Sequence, residues 1–180
     1  MSLPSSRPDA FSVKVSSAVQ KVRKTGITLA PEAGTQRLRD FIGKDVTEEE
    51  ILSSARTAFG SGVNSIKLYF MLGLQNETEE DLQGIINLSR SILDLGKSIN
   101  RRARLTVSLS TFIPKPHTPF ERERQITIEE TLASQRFIKD WLKDRSIEIR
   151  WHQPEMSFLE GVFSRGDLKL GEVLGKAFRS

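Results

Sequence analysis

The feature that most constrains the fold of this chain is an alternation of short apolar runs with helical patterns. Apolar runs lie at residues 26–30, 65–72 and 104–113, and a shorter one follows at 147–151. Amphipathic segments with helical spacing separate them. Because strands that alternate with helices pair in parallel through right-handed crossovers, we expect an α/β fold with a mostly parallel sheet.

Helix starts are indicated by a capping pattern, in which a threonine precedes a carboxylate by three positions. Residues 12–24 have mixed apolar spacing, and their Ala, Gln, Lys and Arg content favours helix. The helix that follows Thr78 is predicted to end at Gly96, and the segment from Met156 onward is also predicted to be helical. The three capping pairs are Thr47 with Glu50, Thr78 with Asp81 and Thr127 with Glu130.

Composition excludes several kinds of site from this chain. It has 180 residues, no cysteine and two histidines, His117 and His152, which form no metal-binding pair. Disulfides, cysteine–zinc sites, thiol nucleophiles and cysteine-bound iron clusters are therefore excluded within it. No apolar run approaches the roughly 20 residues that cross a membrane, and the first residues lack the layout of a signal peptide. We therefore expect a cytoplasmic location and no membrane partner.

The charge balance permits an anionic partner without requiring one. The net charge is +4, and the basic residues are dispersed along the chain. Their densest cluster is "RRAR" at 101–104. This cluster is either a surface for nucleic acid or a solvated loop before a strand.

Polar and small residues follow the predicted strands, where functional groups of parallel α/β folds gather. Glu32 can accept hydrogen bonds from ligand hydroxyls or an ammonium group, or it can stabilise the start of the next helix. Gly73 allows the close approach of a flat ligand or a tight turn, in a segment without a P-loop or GxGxxG pattern. Three prolines within residues 114–119 make a stiff loop. It either places Lys115 and His117 near a pocket or is a plain crossover.

Together the three strand-end segments resemble the second half of the radical S-adenosylmethionine (SAM) domain, a partial (β/α)6 barrel. "APEAGTQRLRDFIGK" at 30–44 is similar to the fourth-strand segment GxESGSxxVLxxMxR of that superfamily. "FMLGLQNETEEDL" at 70–82 resembles the fifth-strand segment GLPGETxED, and "STFIPKPHTPF" at 110–120 the sixth-strand segment SxFxPxPGTP. The opening "SLPSSRPDAF" resembles the end of the third strand, so that the likeness covers residues 2 to 120.

The tail narrows the resemblance to one subgroup. "WHQPEMSFLEGVFSRGD" at 151–167 is similar to radical SAM proteins of unassigned substrate that carry a cobalamin-binding-like domain ahead of the barrel. The resemblance implies SAM and a four-iron–four-sulfur cluster as cofactors of the parent enzyme, with cobalamin as a further one. By position, Glu32 would bond the ribose or amino group of SAM and Lys44 its carboxylate, while the adenine would be bordered by Met71, Gly73, Phe112 and Ile113.

The departures from the family pattern matter for activity. The CxxxCxxC loop that follows the first strand of the family is absent, Gln75 stands where relatives have proline, and His117 stands where they have glycine. We therefore interpret the chain as a fragment of a longer iron–sulfur oxidoreductase that contributes the ribose, carboxylate and adenine side of the SAM site. Alone, it is expected to be inactive, to bind no cluster, and to bind SAM weakly or not at all.

This interpretation also predicts the organisation and the partners. Residues 1–145 would form a radical SAM barrel that lacks its first two strands, and residues 146–180 a C-terminal appendage of one strand and helices. The missing N-terminal half of the parent would be one partner, and the sheet edge left open by the third strand invites a homodimer. Two alternatives stay open: a binding module for RNA or protein, and an ordinary (β/α)-barrel hydrolase or isomerase that uses Glu32, Lys44 and His117.

Overall fold

The structure is a computed structural model that describes residues 27–179. The predicted third-strand end at 2–11 and the predicted helix at 12–24 lie outside these residues. Within them four strands occur, namely β1 Ile27–Glu32, β2 Ser65–Leu72, β3 Arg104–Thr111 and β4 Ile147–Trp151. The helices of the same residues are α1 Gln36–Phe41, α2 Glu48–Gly60, α3 Glu79–Ile99, α4 Ile128–Trp141, α5 Pro154–Arg165 and α6 Leu170–Arg179.

The four strands form one parallel sheet in the order β1-β2-β3-β4. The pairing of β2 with β3 runs without a break from Ser65 opposite Arg104 to Leu72 opposite Thr111. The pairing of β1 with β2 shifts between Leu29 and Glu32, which is a β-bulge at the end of β1. The predicted α/β fold with a parallel sheet is therefore confirmed.

The main core lies between the sheet and the helices on one of its faces. Alternate residues of β2 are buried there, from Ile66 to Leu72, and they pack with buried residues of α2 and α3 such as Phe59 and Ile86. The residues between them, such as Lys67 and Tyr69, stay partly exposed. A doubly wound sheet carries helices on both faces, whereas a (β/α) barrel carries them on its outer face alone. The described residues therefore match part of a barrel.

Local sequence patterns place most of the boundaries. The three predicted capping pairs stand at the starts of α2, α3 and α4, and β2 and β4 have the predicted bounds. The prediction that α3 ends at Gly96 is wrong, since the helix continues to Ile99. Gly96 is buried, and a Cβ there would lie 2.7 Å from the Phe59 ring. Its lack of a side chain thus permits close packing of α3 on α2.

The C-terminal elements of the described residues are β4, α5 and α6. β4 pairs with β3, and α5 packs near the loop before α4, where the Gln125 Nε2 donates to the Ser157 carbonyl at 2.8 Å. A Cβ on Gly161 would overlap the same Gln125 side chain. α6 has no buried residue. The domain boundary predicted after residue 145 stays a prediction. β4, which follows this boundary, lies in the same sheet as β3. Among residues 27–179, no helix combines the length and apolar content needed to cross a membrane.

Candidate functional site

The loops after β1, β2 and β3 lie at one end of the sheet, and a strained residue lies at the end of β1 and in each of the other two loops. Glu32, Asn76 and His117 have φ angles of 69°, 62° and 61°, in the left-handed region. For a residue with a side chain, this conformation costs roughly 1–2 kcal/mol relative to the right-handed region. Such strain is concentrated at functional sites, because surrounding contacts must hold it in place. The carboxyl end of the sheet is therefore the first place to look for a site.

Glu32 and Lys44 are brought together at the end of β1. The Nζ of Lys44 lies 3.4 Å from Oε1 of Glu32, and the two side chains keep 20% and 24% of their surface exposed. The bulge and the left-handed φ of Glu32 change the direction of its side chain relative to an ordinary strand residue. At this separation the pair is loose, so both groups retain capacity to bind a ligand.

An apolar cluster lies next to this pair. Its buried members are Ala33, Leu38 and Leu74, and partly buried side chains pack against them. Ala33 follows Glu32 directly, and Ile42 precedes Lys44 by two positions, so the chain itself links the ion pair to the cluster. A mixed surface of this kind suits a ligand with one flat apolar part and one charged part. The partly buried members are Ile42, Met71 and Phe112.

Three aromatic rings extend the apolar cluster. The ring of Phe112 meets that of Phe120 edge to face, with centroids 5.7 Å apart. The ring of Phe41 lies 6.1 Å from the same Phe120 ring. Because edge-to-face and tilted pairs at these distances are favourable, Phe120 fixes α1 and the loop after β3 relative to each other.

Buried Arg39 holds the loop that carries Glu32 and Lys44. Its guanidinium donates to the carbonyls of Ala33 at 3.1 Å and Gly34 at 3.4 Å on one side, and to that of Val46 at 3.2 Å on the other. Burial lowers the pKa of Arg39, and Glu48 and Asp40 partly restore it. The sequence gives no signal for this role, because Arg39 has the helical position of an ordinary surface arginine.

Buried Asp81 joins the end of β1 to the start of α3. Its carboxylate accepts hydrogen bonds from the Thr35 hydroxyl and from the Arg37 guanidinium. It also accepts the backbone N–H and hydroxyl of Thr78, both at 2.8 Å. Burial alone would raise the pKa of Asp81, but the hydrogen bonds from Thr35 and Thr78 and the charge of Arg37 outweigh it and hold the pKa low. The residue was predicted only as a helix cap.

Two glycines allow the same two elements to touch. A Cβ on Gly34 would lie 2.1 Å from the Asp81 carbonyl oxygen and 2.4 Å from the Ile85 nitrogen. A Cβ on Gly84 would lie 2.8 Å from the Gly34 backbone. Both obstacles are main-chain atoms, which cannot rotate away. The absence of both side chains therefore sets the distance between the loop after β1 and α3.

Gly73 directly precedes Leu74 of the apolar cluster, and both residues line a further cleft. Gly73 has a φ of 81°, and its N–H donates to Oε2 of Glu77 at 2.7 Å. Burial raises the pKa of Glu77 to about 7, the Gly73 N–H opposes this, and Asp81 raises it further. This open cleft has a volume of about 640 Å³, and its lining also includes Glu77, Ile126 and Phe137. From its position directly before a helix, Glu77 is predicted to have only a capping role.

The remaining sequence-predicted residues take less central positions. Ile113 is partly exposed and does not belong to the apolar cluster of Ala33, Leu38 and Leu74. Lys115 pairs with Glu160 of α5 at 2.6 Å, and His117 is exposed, with its backbone N–H donating to Glu121 at 3.0 Å. The structure therefore brings Glu32 and Lys44 together, and Met71 and Phe112 together, while Gly73 lines a cleft that Leu74 of the apolar cluster also lines.

The donor chemistry fits SAM and does not fit an iron cluster. A carboxylate, an ammonium and an adjoining apolar surface match the hydroxyls, the carboxylate and the adenine of SAM. The chain offers no cysteine to bind iron. No group of three or more His, Asp or Glu residues placed to hold a metal occurs in the part of the chain from 27 to 179.

Two curated proteins are similar to this chain over part of their length. The uncharacterized protein MJ0966 of Methanocaldococcus jannaschii is 36% identical over 151 residues, which is 82% of this chain and 32% of that protein. The uncharacterized methyltransferase PH0819 of Pyrococcus horikoshii is 26% identical over 88 residues, which is 49% of this chain and 19% of that protein. No protein-family model matches the chain. The chain therefore resembles a part of larger proteins, one of which is named as a methyltransferase.

Proposed function

We propose that this chain supplies one side of the SAM site of a radical SAM iron–sulfur enzyme. The observation that carries the proposal is the pairing of Glu32 with Lys44 at 3.4 Å beside the apolar cluster. These residues are twelve positions apart in the chain, and the resemblance to the radical SAM domain assigns both of them to SAM. In such an enzyme SAM and the iron–sulfur cluster together supply the radical chemistry that removes a hydrogen atom from the substrate.

Each residue has a separate task in this proposal. The Glu32 carboxylate accepts hydrogen bonds from the ribose hydroxyls or the amino group of SAM, and the Lys44 ammonium binds its carboxylate. Met71 and Phe112 pack against the adenine, with Gly73 and Ile113 at the border of the adenine site. When SAM binds, the ion pair opens. Lys44 exchanges the Glu32 carboxylate for that of SAM, and Glu32 exchanges the Lys44 ammonium for the SAM amino group or the ribose hydroxyls.

The relatives support a SAM-related role at a coarser level. The Pyrococcus relative is named as a methyltransferase, and SAM is a common methyl donor. This chain spans about a third of the length of the Methanocaldococcus relative. In the parent enzyme the cluster and the other side of the SAM site would come from the N-terminal half, and a cobalamin-binding domain would precede it.

Binding of SAM to this chain tests the residue assignments. We expect weak binding, in the millimolar range, with backbone amide shifts around Glu32, Lys44, Met71 and Phe112 in a two-dimensional NMR titration. Lys44→Ala should weaken this binding by about tenfold, since it removes one charge-assisted contact worth roughly 1.5 kcal/mol. Lys115→Ala is the matched control, because Lys115 is also an ion-paired lysine but lies on the α5 side.

Three results would contradict the proposal. One is an unchanged titration in the Lys44 variant, and another is a set of shifts confined to residues away from the end of β1. Micromolar affinity by calorimetry would also contradict it, because half of the site lies outside this chain. Anaerobic reconstitution should give no iron–sulfur absorbance, whereas near-stoichiometric iron would refute the claim that the cluster ligands lie outside it.

A further inference from the structure

A second cleft lies at the opposite end of the sheet, where the strands begin. It has a volume of about 510 Å³ and is formed by the turns that lead into β2, β3 and β4. Glu32 and Lys44 belong to the loops at the carboxyl end, so the length of the sheet separates them from this cleft. The lining residues are Asn64, Ser65, Lys97, Arg101, Arg102, Arg104 and Ser146.

The cleft is strongly basic. Four of its seven lining residues are cations, and no aspartate or glutamate lines it. Elsewhere in residues 27–179 many cations are paired, as Arg37 is with Asp81 and Arg124 is with Glu130. The ion pairs of the described residues include none of the four cleft cations. Their positive charge is therefore not neutralised by a neighbouring carboxylate.

One of the four cations has a structural task. Lys97 lies in the last turn of α3, and its Nζ donates to the Arg101 carbonyl at 3.2 Å. A lysine at this position offsets the partial negative charge at the end of the helix. Three exposed arginines are then left for a ligand, namely Arg101, Arg102 and Arg104.

The turn that carries these arginines is fixed by hydrogen bonds. The Asn100 side chain donates to Oδ1 of Asn64 at 2.7 Å and accepts the backbone N–H of Arg102 at 2.9 Å. Ala103 is fully buried in the core, and its N–H donates to the Asn100 carbonyl at 2.8 Å. The arginines therefore extend from an anchored turn. A ligand that binds them loses less free energy to ordering the chain than a ligand that binds a mobile tail.

We propose that this cleft binds the phosphodiester backbone of a nucleic acid. Guanidinium groups match phosphate oxygens with paired hydrogen bonds, and Asn64, Ser65 and Ser146 add neutral donors of the kind that contact phosphate and sugar. No aromatic residue lines the cleft to stack a base, so the site contacts the backbone and has little sequence preference.

The lining also favours a nucleic acid over an acidic protein segment. Protein interfaces depend on apolar or aromatic anchors in their centre, and no apolar side chain lines this cleft. The protein surfaces that bind nucleic acids are more polar than those of protein–protein interfaces, and they carry much more positive charge. This binding is independent of SAM, since it uses none of the residues assigned to the SAM site.

The test compares two variants of equal charge. One removes the cleft arginines by Arg101→Ala, Arg102→Ala and Arg104→Ala. The other removes three exposed arginines elsewhere by Arg56→Ala, Arg136→Ala and Arg179→Ala. Binding of a fluorescein-labelled mixed-sequence RNA 20-mer and of its DNA counterpart is followed by anisotropy between 50 and 200 mM KCl. Circular dichroism confirms that each variant is folded.

We expect the wild type and the control variant to bind both oligonucleotides alike, and the cleft variant to bind at least tenfold more weakly. The slope of log K against log [KCl] should fall by about 2 in the cleft variant, since each phosphate contact of a single strand contributes about 0.7. Equal losses in both variants would mean diffuse attraction and overturn the proposal. So would absence of wild-type binding, equal affinity for a poly-glutamate peptide, or equal affinity for inorganic tripolyphosphate.

Discussion

Gly34 shows how a single missing side chain can set the position of two elements. We expect Gly34→Ala to destabilise the fold by about 2–4 kcal/mol, because its Cβ would meet main-chain atoms of α3 at 2.1 and 2.4 Å. Gly60→Ala is the matched control, since nothing lies within 4 Å of a Cβ there and the residue is helical. That variant should gain up to about 1 kcal/mol. Urea unfolding measures both.

A loss below 1 kcal/mol in the Gly34 variant would show that the loop after β1 can move away from α3. It would also weaken the proposed SAM site, because this loop directly follows Glu32 and accepts the hydrogen bonds of Arg39. A comparable loss in the Gly60 variant would mean that the effect is general to glycine replacement and not specific to the contact.

The strained residues of the site illustrate what local sequence patterns leave unstated. His117 occupies a position where the resembling family has glycine, and its φ of 61° explains why glycine suits this turn. Asn76 likewise stands at the second glycine of GLPGETxED, and asparagine adopts this backbone region more readily than most residues. Glu32 has the same backbone region without any such signal, because nothing in the residue types around it distinguishes a left-handed backbone from an ordinary turn.

At the scale of elements, the turn from β2 to α3 should make stability depend on pH. Glu77 has a pKa of about 7 in the fold, against about 4.3 in an unfolded chain. Between these values the folded state binds more protons than the unfolded state, so the free energy of unfolding falls as pH rises. We expect a loss of about 1–2 kcal/mol from pH 5 to pH 8, after allowance for partial exposure.

Glu77→Gln is the variant that isolates this effect. Its amide oxygen can still accept the Gly73 N–H, but the side chain no longer titrates, so urea unfolding should give a flatter profile between pH 5 and 8. Asp81 does not interfere in this range. Its folded pKa is lowered, so its contribution is present above about pH 4 and is lost on further acidification. Parallel profiles for wild type and variant would contradict the assignment.

The elements were predictable where their cause is local. β2 is bounded by turn residues, and its apolar residues make one clear run, so its eight residues could be placed. The capping box of α2 depends on two residues three positions apart. The end of α3 was misplaced because Gly96 packs against Phe59, a contact between distant residues. Local patterns do not show which polar residues become buried. The sequence therefore does not predict that Arg39 and Asp81 hold the loop after β1 in place.

At the scale of the whole molecule, the sheet has two unlike edges within residues 27–179. β4 forms one edge and carries an exposed ion pair between Arg150 and Glu148 at 2.8 Å. Charged residues on an edge discourage pairing with another chain. On the other side the described sheet ends with β1, and the segment predicted to form the next strand lies outside these residues. We propose that a homodimer forms through the β1 side.

Light scattering after size exclusion tests the homodimer. We expect the mass of a dimer at 100 µM chain, and the same mass after Glu148→Ala with Arg150→Ala, because these changes affect only the β4 edge. A monomer at this concentration would refute the proposal. A change of mass in the double variant alone would place the interface at β4 instead.

The contact between Gly34 and Gly84 has a consequence for how the chain can vary in length. Gly84 lies in the second turn of α3, and each residue of a helix turns the next by about 100°. One residue inserted between Glu79 and Gly84 would move Gly84 to another face of α3. A residue with a side chain would then face the Gly34 backbone. Homologous chains should therefore conserve the number of residues between Asp81 and Gly84, whereas insertions in the loop between β3 and α4 need not disturb this contact.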